Sequence, residues 1–104
     1  MPTKIADIRL ISTHPEVYEP CDDSFALVDA LLSDRANLIQ KQPTLCLEIG
    51  CGSGYVITSL ALMLGHESNI GTNYLATDIN PHAVAVTSET LTSPGVHAEV
   101  MLMD

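Results

Sequence analysis

Apolar and polar positions change period several times along the chain, and each change marks an element. Residues 1–14 carry Ile5, Ile8, Leu10 and Ile11 without a sustained period and predict a short strand or an arm. Pro15-Glu16-Val17-Tyr18-Glu19-Pro20-Cys21 follows as a loop, because two prolines fix the backbone and interrupt any period. From Asp22-Asp23-Ser24 the spacing becomes helical, through Phe25, Leu27, Val28, Leu31, Leu32, Leu38 and Ile39. The acids at its start suit the positive end of a helix dipole. One helix is expected, ending near Gln40 and before Pro43. Thr44–Ile49 then reads as a buried strand, and Ser53–Leu64 as a helix stopped by Gly65. A polar loop from His66 to Thr72 leads to a second strand, Tyr74–Asp78. Asn80-Pro81 is a cap and first-turn pair for a helix running to about Leu91. Ser93-Pro94-Gly95 is a turn, and Val96–Met103 a third strand.

The order is a helix followed by β-α-β-α-β, which implies an α/β fold with a parallel sheet and right-handed crossovers. Residues 1–43 form an arm and helix, and 44–104 one half of a doubly wound sheet. Together they make one partial domain. Ligands of such sheets sit beyond the carboxyl ends of the strands. Glu48, Asp78 and Asp104 all fall near that edge. Three like charges on one rim repel one another, so their convergence points to a ligand rather than to stability.

The chain of 104 residues is 46% hydrophobic, enough for one small core with little margin. Its 13 acids stand against four bases, Lys4, Arg9, Arg35 and Lys41, for a net charge of −9. That balance disfavours nucleic acid and anionic membrane surfaces as partners. No apolar run approaches the roughly 20 residues that span a bilayer. The first twenty residues, with Asp7 and Glu16, do not read as a targeting peptide. Cys21, Cys46 and Cys51 have neither metal nor redox spacing and suit a reducing compartment. Cys51 beside a helix start reads as a small residue in a tight turn, with a reactive thiol as the alternative. No metal site is expected, since His14, His66, His82 and His97 share no ligand spacing.

The most informative stretch is Leu47-Glu48-Ile49-Gly50-Cys51-Gly52-Ser53-Gly54, a strand opening through spaced glycines into a helix. Such a turn lets a ligand approach the backbone and presents unpaired helix N–H groups. A dinucleotide would want G-x-G-x-x-G, but Gly54 comes one residue early and Tyr55 stands where the third glycine belongs. Glu48 would also bring negative charge toward a pyrophosphate. S-adenosylmethionine has no phosphate and carries a sulfonium and an amine. Glu48 then becomes an asset, and Asp78 can still hold ribose hydroxyls. Motif and charge together favour this cofactor.

The turn Glu48 to Gly54 resembles motif I of class I methyltransferases. With Val17 to Phe25 and Ala76-Thr77-Asp78-Ile79-Asn80-Pro81 added, residues 16 to 104 are similar to the eukaryotic HemK-like methyltransferases. The Tyr-Glu-Pro segment narrows the resemblance to the branch that methylates the glutamine of the Gly-Gly-Gln motif in class I translation release factors. The resemblance implies the N-terminal half of a Rossmann-like class I fold, with an extra N-terminal helix. It implies a cofactor site of Tyr18, Ser24, Glu48, Gly50, Cys51, Gly52, Gly54, Asp78, Ile79 and Asp104. In it, Ser24, Glu48 and Gly50 line the methionine end and Asp78 takes the ribose. Ile79 packs on adenine, and Asp104 accepts from the adenine amino group. It further implies a release-factor substrate, a small zinc-binding activator on an apolar sheet edge, and a cytoplasmic location with the nucleus as the second candidate. The family's acceptor signature, Asn-Pro-Pro-Tyr, does not occur among these 104 residues. The chain is therefore expected to carry the cofactor half, with no catalytic residue and no activity alone. DNA adenine methylation, protein-lysine methylation and a non-catalytic fragment are the alternatives.

Overall fold

The computed structural model describes residues 4–65 and 71–103. Helices α1 (Asp22–Ser33) and α2 (Arg35–Lys41) precede β1 (Leu45–Ile49), α3 (Tyr55–Gly65), β2 (Asn73–Asp78), α4 (Pro81–Thr92) and β3 (Glu99–Leu102). The strands form a parallel sheet in the order β1-β2-β3, with Leu47 opposite Leu75 and Leu75 opposite Glu99. The expected α/β order is present. Strand β3 is shorter than Val96–Met103, and β2 starts one residue earlier than Tyr74. Part of the expected loop from His66 to Thr72, and Asp104, lie outside the described residues.

Two expectations change. Ile8–Leu10 is a single 3₁₀ turn, not a strand, because the Asp7 side chain accepts from the Arg9 N–H and caps it. The helix expected from Asp22 to Gln40 is two helices that meet at Asp34, whose φ and ψ are −98° and 5°. The Arg35 Nε donates to the Met63 carbonyl at 2.7 Å, which draws α2 toward the end of α3. The hydrophobic stripe continues through the break, so periodicity alone does not show it.

Helix α3 is the centre of the fold, with eight of its 11 residues buried. Ile57 packs toward the sheet with Cys51 and Ala76. Met63 and Leu64 pack the other way, with Val28 of α1 and Ala6 of the arm. The arm is fastened to this core by hydrogen bonds as well as by packing. The Ala6 N–H donates to the fully buried Ser59 hydroxyl, and the Ser12 N–H donates to Thr90 Oγ1.

The start of α3 lies hard against α4. A Cβ on Gly54 would sit 3.0 Å from the Thr87 Cα, and Gly54 has φ of +86°. Only glycine meets both demands without strain. On the other side of the sheet, Leu45, Leu47 and Ile49 of the unpaired β1 edge are 56%, 50% and 81% exposed. Parallel sheets normally bury both faces, and a bare apolar edge invites pairing with another chain.

Two tests follow. Gly54→Ala should lower stability by roughly 2–4 kcal/mol, from positive-φ strain plus overpacking, as read by urea denaturation. The wild-type chain should self-associate in sedimentation velocity as its concentration rises. Leu47→Lys should shift that association to higher concentration without changing the far-ultraviolet circular dichroism.

Candidate functional site

The glycine turn after β1 is tied to the end of β2. The N–H groups of Gly50 and Cys51 both donate to the Thr77 carbonyl, at 2.8 and 3.0 Å. One step further, the Gly52 N–H donates to Asp78 Oδ2 at 3.0 Å, and the Asn80 N–H donates to Asp78 Oδ1 at 2.9 Å. Gly52 reaches this position with φ of +55°, a conformation costly for other residues. The Thr87 hydroxyl holds the turn from α4, within reach of the Gly52 carbonyl at 2.9 Å and Cys51 Sγ at 3.3 Å.

The arm closes over this turn. Asn80 caps α4 through its side-chain oxygen, and its amide donates to the Glu16 carbonyl at 2.8 Å. The rings of His14 and His82 stack with centroids 4.2 Å apart. These contacts carry the Tyr18–Ser24 segment to the mouth of a cavity of about 280 Å³. Tyr18, Ser24, Glu48, Gly50, Cys51, Gly52 and Asp78 all line it, along with Glu19, Cys21, Ser53 and Tyr55. Seven of the expected site residues are thus brought together. Tyr18 stands at the rim, 96% exposed. Ser24 also receives the Cys21 N–H in a long 3.4 Å contact at the start of α1.

Two expected residues fall elsewhere, and a third is not among the described residues. Gly54 is buried against α4 and serves helix packing instead of lining the cavity. Ile79 is 69% exposed and lines a second, apolar space of about 430 Å³ with Leu47, Ile49, Leu75 and Met103. The two spaces meet at Gly50 and Asp78, which line both. Asp104 lies outside the described residues. Thr87 was not singled out in the sequence. Its available signal is that Ala83, Val86, Thr87, Thr90 and Leu91 form the buried side of α4, so two threonines sit where apolar residues belong.

The two central acids differ. Both Asp78 oxygens accept backbone N–H groups. Glu48 Oε1 is buried with no hydrogen-bond partner. Burial pushes the Glu48 carboxyl up to about 7; the Ile57 amide opposes this, and the charge of Asp78 raises it further. Burial likewise raises the Cys51 thiol, against the Thr87 hydroxyl bond and with Asp78 and Glu48 adding to the rise. A buried thiol raised in this way is not an activated nucleophile, so the structure favours the small-residue reading of Cys51. None of the four bases lines the cavity. Arg9 pairs with Asp7 at 2.9 Å, and Arg35 bonds the Met63 carbonyl.

Known proteins resemble this chain over the same span. It is 43% identical over 89 residues to the proteins named Methyltransferase HEMK2 of Mus musculus and Homo sapiens, covering 86% of this chain and 39% of each relative. It is 52% identical over 42 residues to the eRF1 methyltransferase catalytic subunit of Schizosaccharomyces pombe, covering 38% of this chain and 18% of that one. A putative protein N5-glutamine methyltransferase of Methanocaldococcus jannaschii is 36% identical over 86 residues, covering 83% of this chain and 36% of that protein. Over that span the chain is similar to the HemK-like methyltransferases. The mammalian and yeast matches put it with the eukaryotic branch of the HemK-like proteins. The three-stranded parallel sheet is that of a partial Rossmann-like methyltransferase fold. The chain spans about two-fifths of the length of the HEMK2 proteins. No protein-family model matches it. No described helix is long and apolar enough to cross a membrane.

The buried carboxyl of this HemK-like site has a measurable consequence. The unfolded Glu48 carboxyl titrates at its ordinary 4.5 and the folded one at about 7, so the folded chain holds the extra proton. The stability linked to that proton is complete below about pH 4.5 and is lost as pH rises through 7. Glu48→Gln should therefore change stability little at acid pH. It should raise stability by up to ~3 kcal/mol in mildly alkaline buffer, as read by urea denaturation at the two pH values.

Proposed function

We propose that this chain forms the S-adenosylmethionine-binding half of a HemK-like protein-glutamine methyltransferase. One observation carries the cofactor: a cavity at a glycine turn that is lined by Glu19, Glu48 and Asp78 and by no base. Such a lining repels a pyrophosphate and attracts a cation. The orphaned Glu48 oxygen supplies a polar group that no described residue satisfies. Glu48 and the Gly50–Gly52 turn would hold the charged methionine end, with Ser24 beside them. Asp78, with a lone pair left on each oxygen, would take the ribose hydroxyls at the junction of the two spaces. Ile79, in the apolar space, would meet the adenine face.

The bound cofactor supplies an electrophilic methyl group on a positive sulfur. The chain's own residues orient the ligand and place its charge against Glu48 in a partly desolvated pocket. The Tyr18–Ser24 segment forms the rim at that end.

The acceptor is proposed from the relatives' names. One is called an eRF1 methyltransferase catalytic subunit and another a protein N5-glutamine methyltransferase. We therefore assign the glutamine of the release-factor Gly-Gly-Gln motif as the methylated group. The word subunit in the yeast name supports a second component, and a small zinc-binding activator seated on the bare apolar sheet is the proposed one.

Calorimetric titration of S-adenosylmethionine, S-adenosylhomocysteine and NAD into the chain tests the cofactor. The first two should bind and NAD should not. Ile79→Ala, at an exposed position, should weaken binding about five- to tenfold by removing apolar contact while leaving the fold unchanged. Binding of NAD alone, or of neither adenosyl ligand, would reject the assignment.

A further inference from the structure

Glu48 and Asp78 face one cavity, but only Asp78 has a hydrogen bond on each oxygen. Asp78 has a backbone N–H on each oxygen, from Gly52 and from Asn80. Glu48 has an oxygen sealed from solvent with no hydrogen-bond partner among the described residues. The titratable and charged groups around it are Asp78 from β2, Cys51 from the turn, Tyr55 from α3, and Tyr18, Glu19 and Cys21 from the arm and the start of α1. None of them is a base. Only the Ile57 amide favours the ionised form. A carboxylate in this position would be desolvated, next to a second acid and without a counter-charge, so the empty cavity favours the protonated form.

We propose that Glu48 selects a cationic ligand by exchanging its proton for it: the carboxyl carries a proton in the empty cavity and releases it when a positive group enters. The O–H bond breaks with its electron pair left on the carboxylate, and the proton passes to the buffer. The carboxylate then pairs with the ligand's positive charge. A neutral ligand of the same shape provides no such counter-charge, leaves the proton in place and forgoes the ion pair. The proposal rests on the cofactor reading above and adds the rule by which the site admits its ligand.

The consequence is a pH dependence of binding in the direction opposite to acid stabilisation of the fold. With a carboxyl at about 7 in the empty site, most of it must lose a proton at pH 6 and half of it at pH 7. Apparent affinity should therefore rise about fivefold between these values. Both lie below about 8, where a ligand α-amino group begins to titrate.

The test is calorimetry of S-adenosylmethionine binding to the full chain at pH 6, in buffers of different ionisation enthalpy. The dependence of heat on that enthalpy counts the protons released. Close to one proton is expected from the wild type and close to none from Glu48→Gln, whose side chain mimics the protonated acid. The wild-type-to-variant affinity ratio should rise about fivefold from pH 6 to pH 7. Carbon-13 NMR of the glutamate carboxyls gives a readout without a variant. One resonance should titrate near 7 in the ligand-free chain and be ionised at pH 6 once ligand is bound. Binding heat that does not depend on buffer, or proton release that persists in Glu48→Gln, overturns this inference and leaves the cofactor reading standing. No binding of the adenosyl ligands overturns both.

Discussion

Everything else in this chain hangs on the seam between the end of β1 and the end of β2. A single carbonyl, that of Thr77, receives two successive N–H groups from the glycine turn. Asp78 receives a third from Gly52. Thr87 ties the same turn to α4, and Gly54 lets α3 start against that helix. These few bonds fix the directions of two strands and two helices at once. They also consume one acceptor position on each Asp78 oxygen, so that Asp78 is a structural residue before it meets a ligand.

The arm depends on the same seam. It reaches the core through Ser59 and Thr90, the surface of α4 through Glu89, and the site through Asn80. Pro15 sits in a turn closed by the Val17 N–H on the His14 carbonyl at 3.0 Å, and Pro15 and Pro20 both restrict the backbone, which lowers the entropy lost when the segment settles beside the site. The cavity is thus built by residues from the arm, the turn and β2, with α4 acting from behind. Its walls rest on α3 and the strands beside it, except the arm, which is held at the start of α4 through Asn80 and His82.

Electrostatics divides the two acids into different tasks. Asp78 is held by backbone dipoles and organises the turn. Glu48 keeps one buried oxygen with no partner among the described residues, with only the Ile57 amide there to favour its charge. Burying a polar group without a partner costs stability, and the cost persists when the neighbouring charge has the same sign. A positively charged ligand reverses that balance, since it supplies what the chain omits. Stability sacrificed at Glu48 is thereby available as selectivity for charge.

Local chemistry in the sequence determined much of this. The spacing of apolar residues, the Asn80-Pro81 start of α4 and the glycine run after β1 specified the alternation of strands and helices, because each is a property of a few adjacent residues. The same run, with Glu48 and Asp78 at the strand ends, also marked the site. What the sequence could not decide depends on groups far apart along the chain. The break at Asp34 follows a bond from Arg35 to Met63, 28 residues away. Thr87 reads as an ordinary helix residue until the fold sets it against Gly52, 35 residues earlier. Gly54 looks like any other glycine of the turn, and its close packing appears only when α4 docks and fills the space beside it. Glu48 and Asp78 look alike as letters. The tertiary structure alone makes one satisfied and the other unpaired, because hydrogen-bond partners and burial belong to positions in space.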